Sequence, residues 1–389
     1  MKDFRKRALS NLALAKDLNL NYKQIIKTAK ESFQNLAINI LEYPRLSREK
    51  NLSRIAICEN PEKADTLYKQ GKGIIFFCAH QSNWEISFLD GNTRMKGIAI
   101  GKQIKNPYLN KWLTSIREKN GGKMVVPRHA IKEGLRAIRK GQFIGIVGDQ
   151  GMPNSNYSFP FFGRRAWTTT APALLCYKTN TPIIAATIRR KKGKYYINYS
   201  DPIWADLTQP IEEEIPHLMN RSLEILQASI KKSPGEWLWQ HNRYKQQTPR
   251  EVFKEYRKDS ICIIMPKDKT LFNKFYPLLA ILKKIYQKDF LFMYWPQVYN
   301  EKVPFECDDI YFYEEKEELF QKDFRFKLVF DFTNTKKLKK HFKSLSACEV
   351  IQEGDLLQKA KEKALNTTDF KKIIPETLCR HPKQFLESV

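Results

Sequence analysis

"GIIFFCAHQSNWEISFLDGN", residues 73–92, decides the fold. The run Gly73–Phe77 is continuously apolar, the pattern of a short strand buried on both faces. "SNWEISFLDG" then reads as the start of a helix. A strand hands over to a helix around His80, with a carboxylate, Glu85, five residues later. Two readings follow from these residues. Ser82 and Glu85 form S-x-x-E, a capping box in which Glu85 reaches back to the Ser82 amide. Alternatively, His80 and Glu85 converge on the cleft beyond the strand end. A carboxylate that accepts the Nδ1–H of a histidine fixes its tautomer and leaves Nε2 as a base. Such a base can take a proton from a hydroxyl that attacks an acyl carbonyl. No Ser or Cys stands in a nucleophile elbow, so this chemistry would need no enzyme nucleophile.

Outward from this stretch the alternation continues. "GIAIG", "KMVVP" and "QFIGIVGD" read as strands, separated by the helical "PYLNKWLTSIREKN" and "AIKEGLRAIRKG". "TTTAPALLCYKTN" is a helix, "PIIAATIRR" and "KYYINYS" are strands, and residues 211–234 are a long helix interrupted near Pro216. Residues 21–42 place Ile25, Ile26, Ala29, Phe33, Leu36, Ala37 and Ile40 at helical spacing, an amphipathic helix with a basic opposite face. Short connections between strands and helices predict an α/β fold, a mostly parallel sheet flanked by helices. Ligands of such sheets gather beyond the carboxyl ends of the strands, where His80 and Asp149 both fall. After a polar stretch near residues 248–259 a second alternation begins. The expected division is residues 1–256 and a small C-terminal α/β domain, 257–389, with no stretch that ties it to chemistry.

The formal charge is +26, of which +21 precedes residue 257. Such a field favours polyanions: nucleic acid, an anionic membrane surface or a phosphorylated substrate. No RRM, OB-fold or helix-turn-helix signature supports nucleic acid. The seven cysteines contain no C-x-x-C pair and the six histidines do not cluster, so free thiols are expected and no metal site. No run reaches the roughly 18 apolar residues of a membrane span.

His80-Gln-Ser-Asn-Trp-Glu85 matches the H-x4-D/E box of the glycerolipid-type acyltransferases. Further matches occur in order. "KQIKNPYLNKWLTSIREKNGGK" (102–123) is similar to a segment built on an R-x-x-x-N core, "GIVGDQG" (145–151) to an Asp-Gln strand end, and "FPFFGRRAWTTTAPALL" (159–175) to a Phe-Phe-Gly-Arg loop and helix. "PGEWLWQHNRYK" (234–245) is similar to a closing Trp-x-Trp-x-His-x-Arg signature. Together they resemble the bacterial lipid A late acyltransferases over about residues 1–250. The resemblance implies transfer of an acyl chain from an acyl carrier protein thioester to a hydroxyl of a lipid A precursor, without cofactor or metal. It makes His80 and Glu85 the general-base dyad, and Lys102, Asn106, Asp149 and Arg164 substrate-binding residues. Lys102 departs from the usual arginine, keeping charge but losing the planar fork. The family commonly begins with a membrane-spanning helix; with no such run here, either such a helix precedes this sequence or docking is peripheral, and peripheral, electrostatic docking at the cytoplasmic face of the bacterial inner membrane is the expectation. The rival readings are an acyltransferase for another glycolipid or phospholipid, and a catalytically silent membrane-surface scaffold.

Overall fold

The structure, a computed structural model, describes residues 2–299 and 301–382. The chain divides into two compact units, residues 27–239 and residues 1–26 with 240–389. The sequence predicts a boundary at 256/257; the units part at 26/27 and 239/240. Residues of the intervening stretch explain the difference: Val252 and Tyr256 are buried in the core of the later unit, and Val252 bridges Cys379.

The elements of the first unit, in chain order after α1 (Lys2–Leu14), are α2 (Tyr22–Arg48), β1 (Ala56–Cys58), α3 (Glu62–Lys69), β2 (Ile74–Cys78), α4 (Trp84–Arg94) and β3 (Gly97–Ile100). They continue with α5 (Pro107–Arg117), β4 (Lys123–Val125), α6 (Ala130–Arg139), β5 (Phe143–Val147), β6 (Ser158–Phe161) and β7 (Arg164–Trp167). The unit closes with α7 (Ala171–Thr179), β8 (Ile183–Lys191), β9 (Lys194–Tyr199) and α8 (Ile211–Lys232). Seven strands form one sheet in the order β1-β9-β8-β2-β5-β3-β4, parallel except for the β8–β9 hairpin. The two central strands, β2 and β5, are buried almost throughout, as their apolar runs require. α8 runs through Pro216 without interruption. A proline in the second turn removes one intrahelical donor, and the packing of Leu218, Leu223 and Leu226 holds the rest of the helix.

The amphipathic α2 is oriented in an unexpected way. Its protein-facing side is Thr28, Ser32, Asn35 and Asn39, all buried, while Ile26, Ile40 and Leu41 are exposed. The periodicity is helical, but the apolar stripe is split: Ile25 and Ala29 are buried, whereas Ile26, Ala37 and Ile40 face outward.

The second unit holds β10 (Ser260–Ile264), α9 (Lys269–Phe275), α10 (Leu279–Ile285), β11 (Phe290–Pro296), β12 (Asp309–Tyr313) and β13 (Leu328–Asp331). It ends with α11 (Lys336–Ser344), β14 (Glu349–Ile351), α12 (Glu353–Glu362) and α13 (Phe370–Leu378). Its five strands are all parallel, in the order β12-β11-β10-β13-β14. α1 belongs to this unit: the Ser10 hydroxyl donates to the Arg325 carbonyl at 2.8 Å and Lys6 Nζ to the Ala347 carbonyl at 2.6 Å. No helix of the described residues is long and apolar enough to cross a membrane.

Candidate active site

Strand register brings the site together. β2 pairs with β5 so that Cys78 lies opposite Val147. His80 and Asp149 each follow two residues later, side by side beyond the carboxyl ends of the two central strands. The Asp149 carboxylate accepts twice from His80, from the backbone N–H at 2.8 Å and at ring Nδ1 at 2.5 Å. A third donor, the Trp237 indole Nε1, reaches the same carboxylate at 2.6 Å. Asp149 is 1% exposed. Burial pushes its carboxyl up, but electrostatic attraction to His80 and the bonds from the imidazole, Trp237 and the His80 amide outweigh it and hold it below the usual carboxylate range. Gly148 permits the close approach: a Cβ there would sit 2.7 Å from the Phe77 ring.

With Nδ1–H committed to Asp149, Nε2 carries the lone pair. It accepts from the Gln150 amide at 3.0 Å. The His80 side chain keeps 14% of its surface open, and the Trp84 ring packs edge-on against it at 4.8 Å. The group at Nε2 can therefore be exchanged for a substrate hydroxyl.

The loop that presents His80 is clamped from both sides. Ser82 is left-handed, φ 48°. A non-glycine residue there costs roughly 1–3 kcal/mol and persists only when its surroundings over-determine it. They do so here: its N–H donates to the Glu236 carbonyl at 2.8 Å, and its hydroxyl donates to the Glu236 carboxylate. Its carbonyl accepts from Asn35 at 3.2 Å and Asn39 at 2.5 Å. The Leu238 N–H bonds the His80 carbonyl at 3.0 Å, within a bridge of Gln81 to Trp237. The inward polar seam of α2 thus supplies donors that a loop of buried backbone groups requires.

Glu85 stands elsewhere. Its carboxylate takes a bidentate pair from Arg117, Nε at 2.8 Å and a terminal nitrogen at 2.5 Å, and a third bond from the Tyr43 hydroxyl at 3.1 Å. The expected dyad carboxylate at Nδ1 is Asp149 in the structure, not Glu85. The capping box is also absent. α4 begins at Trp84 after Asn83, which makes no side-chain cap, and the Ser82 hydroxyl is spent on Glu236. Burial, and then the Glu85 charge, push the Tyr43 phenol up, so it stays a donor. Burial opposes the charge on Arg117, but Glu85 outweighs it and raises the guanidinium further.

The remaining expected residues are dispersed. Lys102 is exposed on the connection after β3. Asn106 caps α5, accepting from the Leu109 N–H at 3.0 Å, which accounts for it without substrate. Arg164 is 4% exposed at the start of β7, in the β6–β7 hairpin. Trp237, Gln150, Arg117 and Tyr43 also belong to the site; Gln150 is the glutamine of the quoted Asp-Gln strand end. Trp237 lay inside the quoted Trp-x-Trp signature, the one sequence signal that could have found it. Cys78, two residues from His80, is no nucleophile: burial, with the Asp149 charge, pushes its thiol up to about 12.

A family model described as bacterial lipid A biosynthesis acyltransferase matches residues 1–246. No curated protein matches the chain.

Proposed function

Since the chain belongs to the bacterial lipid A biosynthesis acyltransferase family, we propose that it moves a fatty acyl chain from an acyl carrier protein thioester to a hydroxyl of a lipid A precursor, with His80 as general base. The observation that carries this reading is the imidazole held at Nδ1 by buried Asp149, with Nε2 facing an exchangeable partner. The acceptor hydroxyl replaces the Gln150 amide at Nε2. His80 takes its proton as the oxygen attacks the thioester carbonyl, and the C–O bond forms. The tetrahedral intermediate collapses with cleavage of the C–S bond, and the proton on Nε2 leaves with the thiolate as the free carrier thiol. Asp149 keeps the tautomer and stabilises the imidazolium; such base catalysis is worth about 10²–10⁴-fold. Glu85 acts through Arg117 and Tyr43 as a positioning group for α4 and α5 rather than on the imidazole. We place the reaction at the cytoplasmic face of the bacterial inner membrane.

Purified protein with acyl carrier thioester, with and without the lipid A precursor, tests the reading. Release of free carrier thiol that depends on the glycolipid is expected; release that ignores it would contradict the acceptor assignment.

Lys102, exposed beyond β3, is assigned to the acceptor's anionic head group. Lys102→Ala should raise the acceptor KM roughly tenfold, the loss of one charge-assisted contact of about 1.5 kcal/mol, with kcat unchanged. Steady-state kinetics at saturating thioester read this directly. A collapsed kcat at unchanged KM would place Lys102 in the chemical step.

A further inference from the structure

α2 turns a row of polar side chains inward, alongside Ile25, Ala29 and Leu46, and leaves apolar residues outside. Thr28, Ser32, Asn35 and Asn39 are buried, while Ile40 is 59% and Leu41 76% exposed. A surface helix ordinarily does the reverse. Exposed apolar residues continue onto α5, which buries Leu113 and Ile116 but leaves Tyr108 85% and Leu109 42% exposed. The two helices are neighbours, with the Tyr43 and Trp112 rings 6.2 Å apart. The result is one apolar and aromatic face across two helices, within residues 27–239.

We propose that this α2–α5 face is the surface on which the protein lies in the interface of an anionic bilayer, so that a lipid-linked acceptor enters the site from the membrane. The inference rests on the acyl-transfer reading for the acceptor, not for the surface itself. Charge complementarity identifies the occupant. The rim carries exposed Arg45, Arg48, Lys105 and Lys111. Two copies of so basic a face would repel each other, whereas an anionic membrane attracts each such residue. Tyrosine and tryptophan beside leucine and isoleucine, bordered by cations, is the chemistry of a helix lying at the headgroup boundary. The face also adjoins the site. Tyr43 at its edge holds Glu85, and Trp84 beside Glu85 packs on His80.

The test is cosedimentation of the full chain with phosphatidylcholine vesicles, with and without phosphatidylglycerol. Wild type should bind the anionic vesicles more tightly than the neutral ones. Leu41→Gln/Tyr108→Gln should lower the partition coefficient roughly tenfold or more, since interfacial binding scales with buried apolar area. Ile40→Gln/Leu41→Gln is the second variant, and exposed positions of this kind change folding stability little. Lys105→Gln/Lys111→Gln should lower binding to anionic vesicles roughly tenfold and leave neutral ones unchanged. Val298→Gln/Phe312→Gln, exposed apolar residues of the other unit, should bind as wild type. Either α2–α5 apolar variant binding like wild type, or the control pair losing as much, would overturn the proposal. So would a dimer in sedimentation equilibrium that Leu41→Gln/Tyr108→Gln dissolves without changing vesicle binding. Vesicle binding reads no chemistry; turnover of detergent-dispersed acceptor by the same variants tests acyl transfer separately.

Discussion

Asp149→Asn is expected to lower kcat about 10⁴-fold, the magnitude seen when a base histidine loses the carboxylate that fixes its tautomer. The Asp149 carboxylate accepts from the His80 ring, the His80 amide and the Trp237 indole at once. An asparagine keeps one acceptor oxygen but turns its other atom into a donor facing a donor. Either Trp237 or the imidazole must then yield, and an imidazole turned to accept at Nδ1 presents a proton at Nε2. The acceptor KM should change little. The same substitution has a pH signature. The folded carboxyl is held below its ordinary range, so its contribution to stability is complete above the unfolded value near about 3.9 and is lost as pH falls through the lower folded value. The urea midpoint of wild type should therefore exceed that of Asp149→Asn at neutral pH, and the gap should close in acid. Full activity in Asp149→Asn would show that the imidazole is oriented by something else.

Arg117→Met is expected to destabilise the protein by about 3 kcal/mol, because it strands a carboxylate that is largely withdrawn from water. The Arg117 and Glu85 side chains are 17% and 12% exposed. Adding Glu85→Gln should restore part of the loss, since the glutamine removes the uncompensated charge while Tyr43 can still donate to its amide oxygen. Urea denaturation of the two single variants and the double gives the coupling. Strictly additive losses would mean that the ion pair contributes nothing beyond its separate parts. The test also separates the two roles considered for Glu85. A group that acts on His80 would cost activity at unchanged stability; a positioning group for α4 and α5 costs stability first.

The parallel sheet was legible because β2 and β5 are short, unbroken apolar runs, each leading directly into a chemically loaded turn. Their adjacency and register were not. Nothing in residues 73–92 says that Val147 pairs with Cys78, and that pairing is what places Asp149 behind His80. The capping box fails for a local reason: S-x-x-E is a strong helix-start pattern, but Ser82 adopts the left-handed region and spends its hydroxyl on Glu236. α2 is the clearest limit of periodicity. A hydrophobic stripe defines a face, but not what that face meets. Here Asn35 and Asn39 turn inward because the Ser82 carbonyl needs donors, and Ile40 and Leu41 are left outside. Partners that come from far along the chain, such as Trp237 on Asp149, leave no spacing to read.

The most direct test of the central claim is the mass and linkage of the glycolipid after incubation with acyl carrier thioester. Wild type should add one acyl chain to the lipid A precursor through an ester that mild base removes, and His80→Ala should lose this product about 10²–10⁴-fold while its melting curve stays cooperative. An unchanged glycolipid despite thiol release, a base-stable amide product, or a fully active His80→Ala enzyme would contradict the account.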